Sequence, residues 1–322
     1  MNEREIETRM RRLLSTIVCM ICLMCISAFA SCNAENAEEA NKAPEQSAIQ
    51  SEQPTLAEPT EKLTEDKYVP VVDTRPKLSV LFIGNSYTYY NNMPTTFFRG
   101  LATKHGYRVT VETVLSGGYT LEKFADPDDE QGKKVAKALD PANAGKYDFV
   151  ILQEQSMRPA LDNKRESFFA AVRDLSERIR AIGAEPILYS TWGRKEGSED
   201  LEDMTNESMT WRLAAAYSAI GEELGIKVAH VGLAFFDVYT NNKDIELYDP
   251  DKTHPSYEGS YLAAATLFDV IFDASSAGVD YNSEIDDNVK SVLDEAARKS
   301  VFDTPEIPEE YVIITRENTE NK

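Results

Sequence analysis

The chain has 322 residues, 42% of them hydrophobic, with a net charge of −21 and a mean hydropathy of −0.41. That is apolar material enough for a sizeable core, while the acidity excludes a nucleic-acid binder and a protein held on anionic lipid by charge. All four cysteines (Cys19, Cys22, Cys25 and Cys32) lie near the start, so no disulfide framework staples the rest.

Met1 to Arg12 carries four arginines, and Leu13 to Ala30 is apolar apart from Ser15, Thr16 and Ser27. This is the basic and apolar patterning of a signal peptide, assigned to residues 1–31. Phe29-Ala30-Ser31-Cys32 resembles a bacterial lipobox, which implies a lipidated Cys32 and a domain anchored to the membrane outside the cytoplasm. Cleavage after Ala30 and a retained anchor helix are the alternatives. Residues 32–76, rich in Ala, Glu, Gln, Pro and Thr without apolar periodicity, read as a disordered, self-repelling tether.

From Lys77 strand-like and helix-like segments alternate. Val80 to Ile83 is a short apolar run bounded by Gly84, a buried strand, and Ser86 follows where a helix begins. Met93 to His105 reads as a helix closed by Gly106. Tyr107 to Leu115 alternates as a strand broken by Ser116-Gly117-Gly118, and Tyr119 to Asp140 is polar with short helical pieces. Tyr147 to Leu152 is the next strand. Phe168, Val172, Leu175, Ile179 and Ile182 recur at helical spacing up to Gly183. Strands follow at Pro186–Tyr189 and Ile226–Val231, around a helix from about Met204 to Leu224. Helices at Tyr257–Phe272 and Asn288–Lys299 and an edge strand at Tyr311–Thr315 complete the series. Five strands alternating with helices predict one α/β domain, residues 77–303, built on a parallel sheet covered on both faces, with a tail at 304–322. Ligands of such sheets bind beyond the carboxyl ends of the strands.

Two sites carry chemistry. Ser86, at the end of a buried strand and the start of a helix, is placed for nucleophilic work, and its N–H can serve an oxyanion. Gly84-Asn85-Ser86 is equally ordinary turn chemistry. Asp251 stands three residues before His254, and Pro255 suits a first helical position, so the carboxylate can orient the imidazole or simply cap a helix. Gly-Asn-Ser-Tyr-Thr lacks the second glycine of an α/β-hydrolase elbow. His105 fits a helix end, His230 a buried strand, and Asp126–Glu130 an acidic turn whose glycine is misplaced for an EF-hand. Trp192, in the loop after the fourth strand, lies on the predicted ligand edge, where stacking on a sugar and packing are both open. No Cys/His cluster or Gly-rich phosphate loop is present, so neither a metal nor another cofactor is expected.

In this order the motifs resemble those of the SGNH, or GDSL-type, hydrolase superfamily, over residues 78–273. Gly84-Asn85-Ser86 is similar to its first block, Ser116-Gly117-Gly118-Tyr119-Thr120 to its second and Asp251-x-x-His254 to its last. Gln153-Glu154-Gln155-Ser156 stands where the third block usually reads Gly-x-Asn-Asp. Asn85 stands where many members have aspartate, a pattern similar to a Gly-Asn-Ser branch with a Leu-Gln-Glu third block. The resemblance implies a flavodoxin-like three-layer fold and ester hydrolysis, with Ser86 as nucleophile, His254 as base and Asp251 as its orienter. The oxyanion hole it implies is the N–H groups of Ser86 and Gly118 with the Gln155 amide, and Asn85 and Trp192 are expected to meet substrate. An exported location and family analogy suggest O-acyl, chiefly O-acetyl, esters of small molecules or carbohydrates. The rival reading is a non-catalytic ligand- or glycan-binding lipoprotein on the same fold. The membrane is a partner only through the lipid anchor, and oligomeric state is not legible.

Overall fold

The computed structural model describes residues 74–198, 203–281 and 284–313. The expected signal peptide, Cys32 and nearly all of the tether lie outside them.

Five parallel strands form one sheet: β1 (Lys77–Gly84), β2 (Arg108–Leu115), β3 (Phe149–Leu152), β4 (Glu185–Tyr189) and β5 (Lys227–Ala229), in the order β2-β1-β3-β4-β5. This is the flavodoxin-like order, which reverses direction between β1 and β3 and so opens a crevice at their carboxyl ends. The alternation of strand side chains explains the unbroken apolar run in β1. Val80 and Phe82 enter one buried cluster, and Leu81 and Ile83 enter the cluster on the opposite face.

Helices cover both faces. One layer holds α2 (Arg99–Lys104), α7 (Val231–Asn241), α8 (Tyr257–Phe272) and α9 (Asp287–Phe302), whose buried residues join Val80 and Phe82. The other holds α3 (Leu121–Ala125), α4 (Glu130–Ala138), α5 (Asp162–Ala181) and α6 (Asn206–Leu224), joined to Leu81 and Ile83. A capping box of Thr205 and Ser208 starts α6, and left-handed Gly225 ends it. A one-turn helix, α1 (Ser86–Tyr89), sits between β1 and the rest of its crossover.

Several expectations need correction. The helix expected over Met93–His105 is a π-turn over Pro94–Phe98 followed by α2, and it is preceded by Asn91 and Asn92 at positive φ. Ile226–Val231 is not all strand: the ladder stops at Ala229, and Val231 already opens α7, which sequence patterning missed. His230 therefore lies at the junction of β5 and α7, with Ser218 Oγ 3.2 Å from its Nε2. Pro255 forms a bridge with Tyr248, and Ser256 is the residue that caps α8. Tyr311 closes a 3₁₀ turn and Val312 and Ile313 are not strand, so the described part of the expected edge strand is absent.

Candidate active site

The crevice at the end of β1 is built from backbone turns held by buried amides. Asn85 caps α1 through its side chain, which accepts from the Tyr87 N–H at 3.1 Å. Its own amide nitrogen donates to the Tyr119 carbonyl at 3.0 Å, tying the nucleophile turn to the Gly117-Gly118 loop. Gln153, fully buried, accepts at one oxygen from the Asn85 N–H at 2.8 Å and from the Thr88 hydroxyl at 2.9 Å. It also donates to the Glu154 carbonyl. Gly84 is required beneath this clamp, because a Cβ there would stand 2.6 Å from the Gln153 Oε1.

These contacts present Ser86 at the first position of α1, 9% exposed. His254 reaches it from the loop before α8, with Nε2 2.8 Å from Ser86 Oγ. On the other side of the imidazole, Nδ1 lies 2.5 Å from Asp251 Oδ2. The remaining Asp251 oxygen accepts the Thr253 and His254 N–H groups, each at 2.9 Å. Partial burial works against the charge on Asp251. The hydrogen bonds from His254 and the two N–H groups outweigh it and hold the carboxyl below its ordinary range. The predicted nucleophile, base and orienter thus meet in one hydrogen-bonded run.

Two residues not singled out from sequence steady this run. Tyr90 lies flat on the imidazole of His254, with ring centroids 4.2 Å apart and planes at 4°. Asn91, held at φ 51°, donates to the carbonyls of Pro255 and Ser256 and to Ser260 Oγ, at 3.2, 2.9 and 2.8 Å. It pins the nucleophile's crossover to the segment that carries the histidine. An Asn-Asn pair is a signal for left-handed turn residues, and it was legible in the sequence.

The expected oxyanion donors surround the serine turn. Among the described residues no acceptor pairs with the N–H of Ser86 or of Gly118, so both remain free to serve a ligand. Gly118 is left-handed at φ 66°, a conformation that favours glycine. Gln155 is held on its own turn: its oxygen accepts the Met157 and Arg158 N–H groups at 3.0 and 3.2 Å, and its amide nitrogen stands 3.4 Å from Ser156 Oγ.

Glu154, between the two glutamines, is wholly buried and was not singled out. Its carboxyl accepts the Gln155 N–H at 2.6 Å and the Leu121 N–H at 3.2 Å, joining the third-block loop to the start of α3. Burial pushes its pKa up to about 7 against those hydrogen bonds. Two polar residues directly after a buried strand were the available signal.

Two expected substrate contacts are corrected. Trp192 is 0% exposed, stacked between Tyr87 and Phe235 at 4.7 and 4.1 Å, and its Nε1 donates to the Thr253 carbonyl at 3.1 Å. It braces the histidine loop from beneath and is closed to a sugar. Asn85, 2% exposed, spends its side chain on the Tyr87 and Tyr119 backbone, so it shapes the turn and does not face substrate. Of the other histidines, His105 ends α2 with Nε2 3.0 Å from the Ser276 carbonyl, and burial drives the pKa of His230 down to about 4. Asp129 caps α4 and Asp126 closes its own turn, as an acidic surface turn does. Among the described residues no group of three His, Cys, Asp or Glu is placed to hold a metal ion.

No family model and no curated protein matches the chain. Solved structures do. An SGNH hydrolase from Slackia heliotrinireducens is 32% identical over 61% of this chain and 99% of that one, with a TM-score of 0.51. A DUF4886 family protein from Bacteroides uniformis is 20% identical over 72% of this chain and 98% of that one, with a TM-score of 0.61, a likeness of fold.

Proposed function

The chain belongs to the SGNH hydrolases, and from that membership we propose that it is an exported serine esterase that removes acyl groups, O-acetyl above all, from carbohydrate or small-molecule alcohols. The observation that carries the reading is the run from Ser86 Oγ through both nitrogens of His254 to Asp251 at the sheet's ligand edge. In the first half-reaction His254 Nε2 takes the Ser86 proton as Oγ attacks the ester carbonyl. Asp251 holds Nδ1–H and balances the imidazolium charge. The carbonyl oxygen, now an oxyanion, is met by the N–H groups of Ser86 and Gly118 and by the Gln155 amide. The intermediate collapses, the C–O bond to the alcohol breaks, and His254 returns its proton to the departing oxygen. Water then attacks the acyl-serine with His254 again as base, releasing the acid and restoring Ser86.

The tether and lipobox support a domain held outside the cytoplasm by a lipid on Cys32, and several acyl chains there give the stable anchoring that one chain does not. A fluorophosphonate probe tests the chemistry: it should label wild-type protein at Ser86 and leave Ser86→Ala unlabelled. Labelling elsewhere, or none in protein that hydrolyses no acetyl ester, refutes the esterase. Incorporation of a palmitate analogue that disappears in Cys32→Ala tests the anchor.

A further inference from the structure

Arg194 is the cation this site does not use. The loop after β4 that carries it is sewn to the triad's own loop, since Trp192 Nε1 donates to the Thr253 carbonyl and the Lys195 N–H to the Lys252 carbonyl at 2.9 Å. Its backbone is also fixed. Asn206 donates to the Gly193 and Arg194 carbonyls at 2.9 and 3.0 Å, and a Cβ on Gly193 would meet the Asn206 carbonyl at 2.3 Å. The guanidinium is therefore presented from a rigid support, beside the hydroxyl of Tyr87, the residue that follows the nucleophile.

Among the described residues Arg194, like Arg212, stands without an acid partner, but Arg194 does so beside the residue that follows the nucleophile. The chain holds 55 acidic residues against 34 basic ones, and the neighbouring Lys195 and Lys252 each have a glutamate partner. Among the described residues no carboxylate pairs with Arg194, and its Nε is buried with no acceptor. The Tyr87 hydroxyl beside it is likewise buried without an aligned partner, although Ser156 from the third-block loop also stands close. Burial pushes the Tyr87 pKa up to about 12, so the hydroxyl keeps its proton and can donate. Buried donors nearly always have acceptors, and a partly desolvated guanidinium without an anion is costly. Three donors from three loops, none of them satisfied by an acid among the described residues, meet at the hydroxyl of Tyr87, whose ring centroid stands 5.5 Å from that of His254.

We propose that Arg194, with Tyr87 and Ser156, forms a carboxylate-binding subsite, so that the favoured substrate is an ester carrying a carboxylate close to the scissile bond. The planar fork of arginine matches a carboxylate through two parallel hydrogen bonds. This rests on the esterase reading for its substrate and deepens it. The carboxylate can sit on the alcohol side, as in an acetylated uronic acid, or on the acyl side, as in a dicarboxylic half-ester.

Paired substrates separate these sources: acetylated glucuronate against acetylated glucose, and monoethyl succinate against ethyl butyrate. Wild-type full-length protein should prefer the charged member of one pair, and Arg194→Ala should shrink that kcat/KM ratio by roughly 10- to 100-fold, mostly through KM, with Arg194→Lys intermediate. Calorimetric binding of glucuronate and of succinate, each lost in Arg194→Ala, reads the subsite without turnover. No charge preference in either pair, or an equal loss on charged and neutral esters in Arg194→Ala, overturns the subsite while leaving the esterase standing. Binding that needs Arg194 in a protein that turns over no ester keeps the subsite and removes the esterase.

Discussion

Glu154→Gln isolates the buried carboxyl that joins the third-block loop to α3. In the unfolded chain this carboxyl ionises near 4.5, and in the folded protein near 7. A raised acid pKa means that the unfolded state binds fewer protons between those values. The stabilising contribution is therefore full below about pH 4.5 and is lost as pH rises through about 7. A shift from 4.5 to about 7 corresponds to about 3 kcal/mol, which for a domain of this size is about 6–12 °C in Tm. Glutamine keeps an oxygen to accept the Leu121 and Gln155 N–H groups but cannot ionise. Whatever its amide nitrogen costs is the same at every pH. Scanning calorimetry of both proteins from pH 4.5 to 8 should thus show the Tm of Glu154→Gln rising relative to wild type by that amount. Asp269, also pushed up to about 7 by burial, tilts both curves alike and drops out of the difference. Parallel curves would refute the assignment of the buried charge to Glu154.

The other expectations concern catalysis. Ser86→Ala and His254→Ala should each abolish acetyl-ester turnover, and the double variant should be little worse than either, because they act as a unit; full activity in Ser86→Ala would end the serine mechanism. Gln155→Ala should lower kcat by roughly 10²–10³ with little change in KM, the usual loss of one oxyanion donor, and an unchanged kcat would remove Gln155 from the hole. Tyr90→Ala should lower kcat by about 10-fold by freeing the imidazole it covers, with Tyr90→Phe near wild type because the ring and not the hydroxyl makes the stack. A Tyr90→Phe loss as large as the alanine one would assign the effect to the hydroxyl.

The parts legible in the sequence are those where one physical constraint dominates. β1 and β3 are buried on both faces, so each shows as an unbroken apolar run, and α5 shows its spacing because one side faces water. α7 is hidden in the sequence because only His230, itself fit for a buried strand, separates Val231-Gly232-Leu233-Ala234-Phe235 from β5, and that wholly apolar stretch has no period to read. Ser86, Asp251 and His254 were legible from residue type and spacing. Trp192 was not, since its chain position puts it on the ligand edge and only the packing of Tyr87 and Phe235 around it shows that it is closed off. In the third block the resemblance points to Gln155, whereas the residue that grips the nucleophile turn is Gln153, two positions earlier and fully buried.

That grip also explains why this chain has amides where aspartate or a glycine is usual in the sequences it resembles. The side chain of residue 85 must accept from the Tyr87 N–H and donate to the Tyr119 carbonyl. A carboxylate can do the first and not the second, and it would set a negative oxygen against the Tyr119 carbonyl in a site that is 2% exposed. Gln153 has the same double duty, accepting from Asn85 and Thr88 while donating to the Glu154 carbonyl, which no carboxylate or glycine could perform. With both cradle residues neutral, Asp251 is, among the described residues, the one carboxylate bonded to His254, and it stands across the imidazole from the serine. An anionic side chain in place of Asn85 would instead lie next to Ser86, where it would oppose the oxyanion forming on the substrate. The asparagine is therefore consistent with catalysis and is no sign of its loss, because it supplies the turn with the cap that aspartate would supply and adds no negative charge beside the oxyanion.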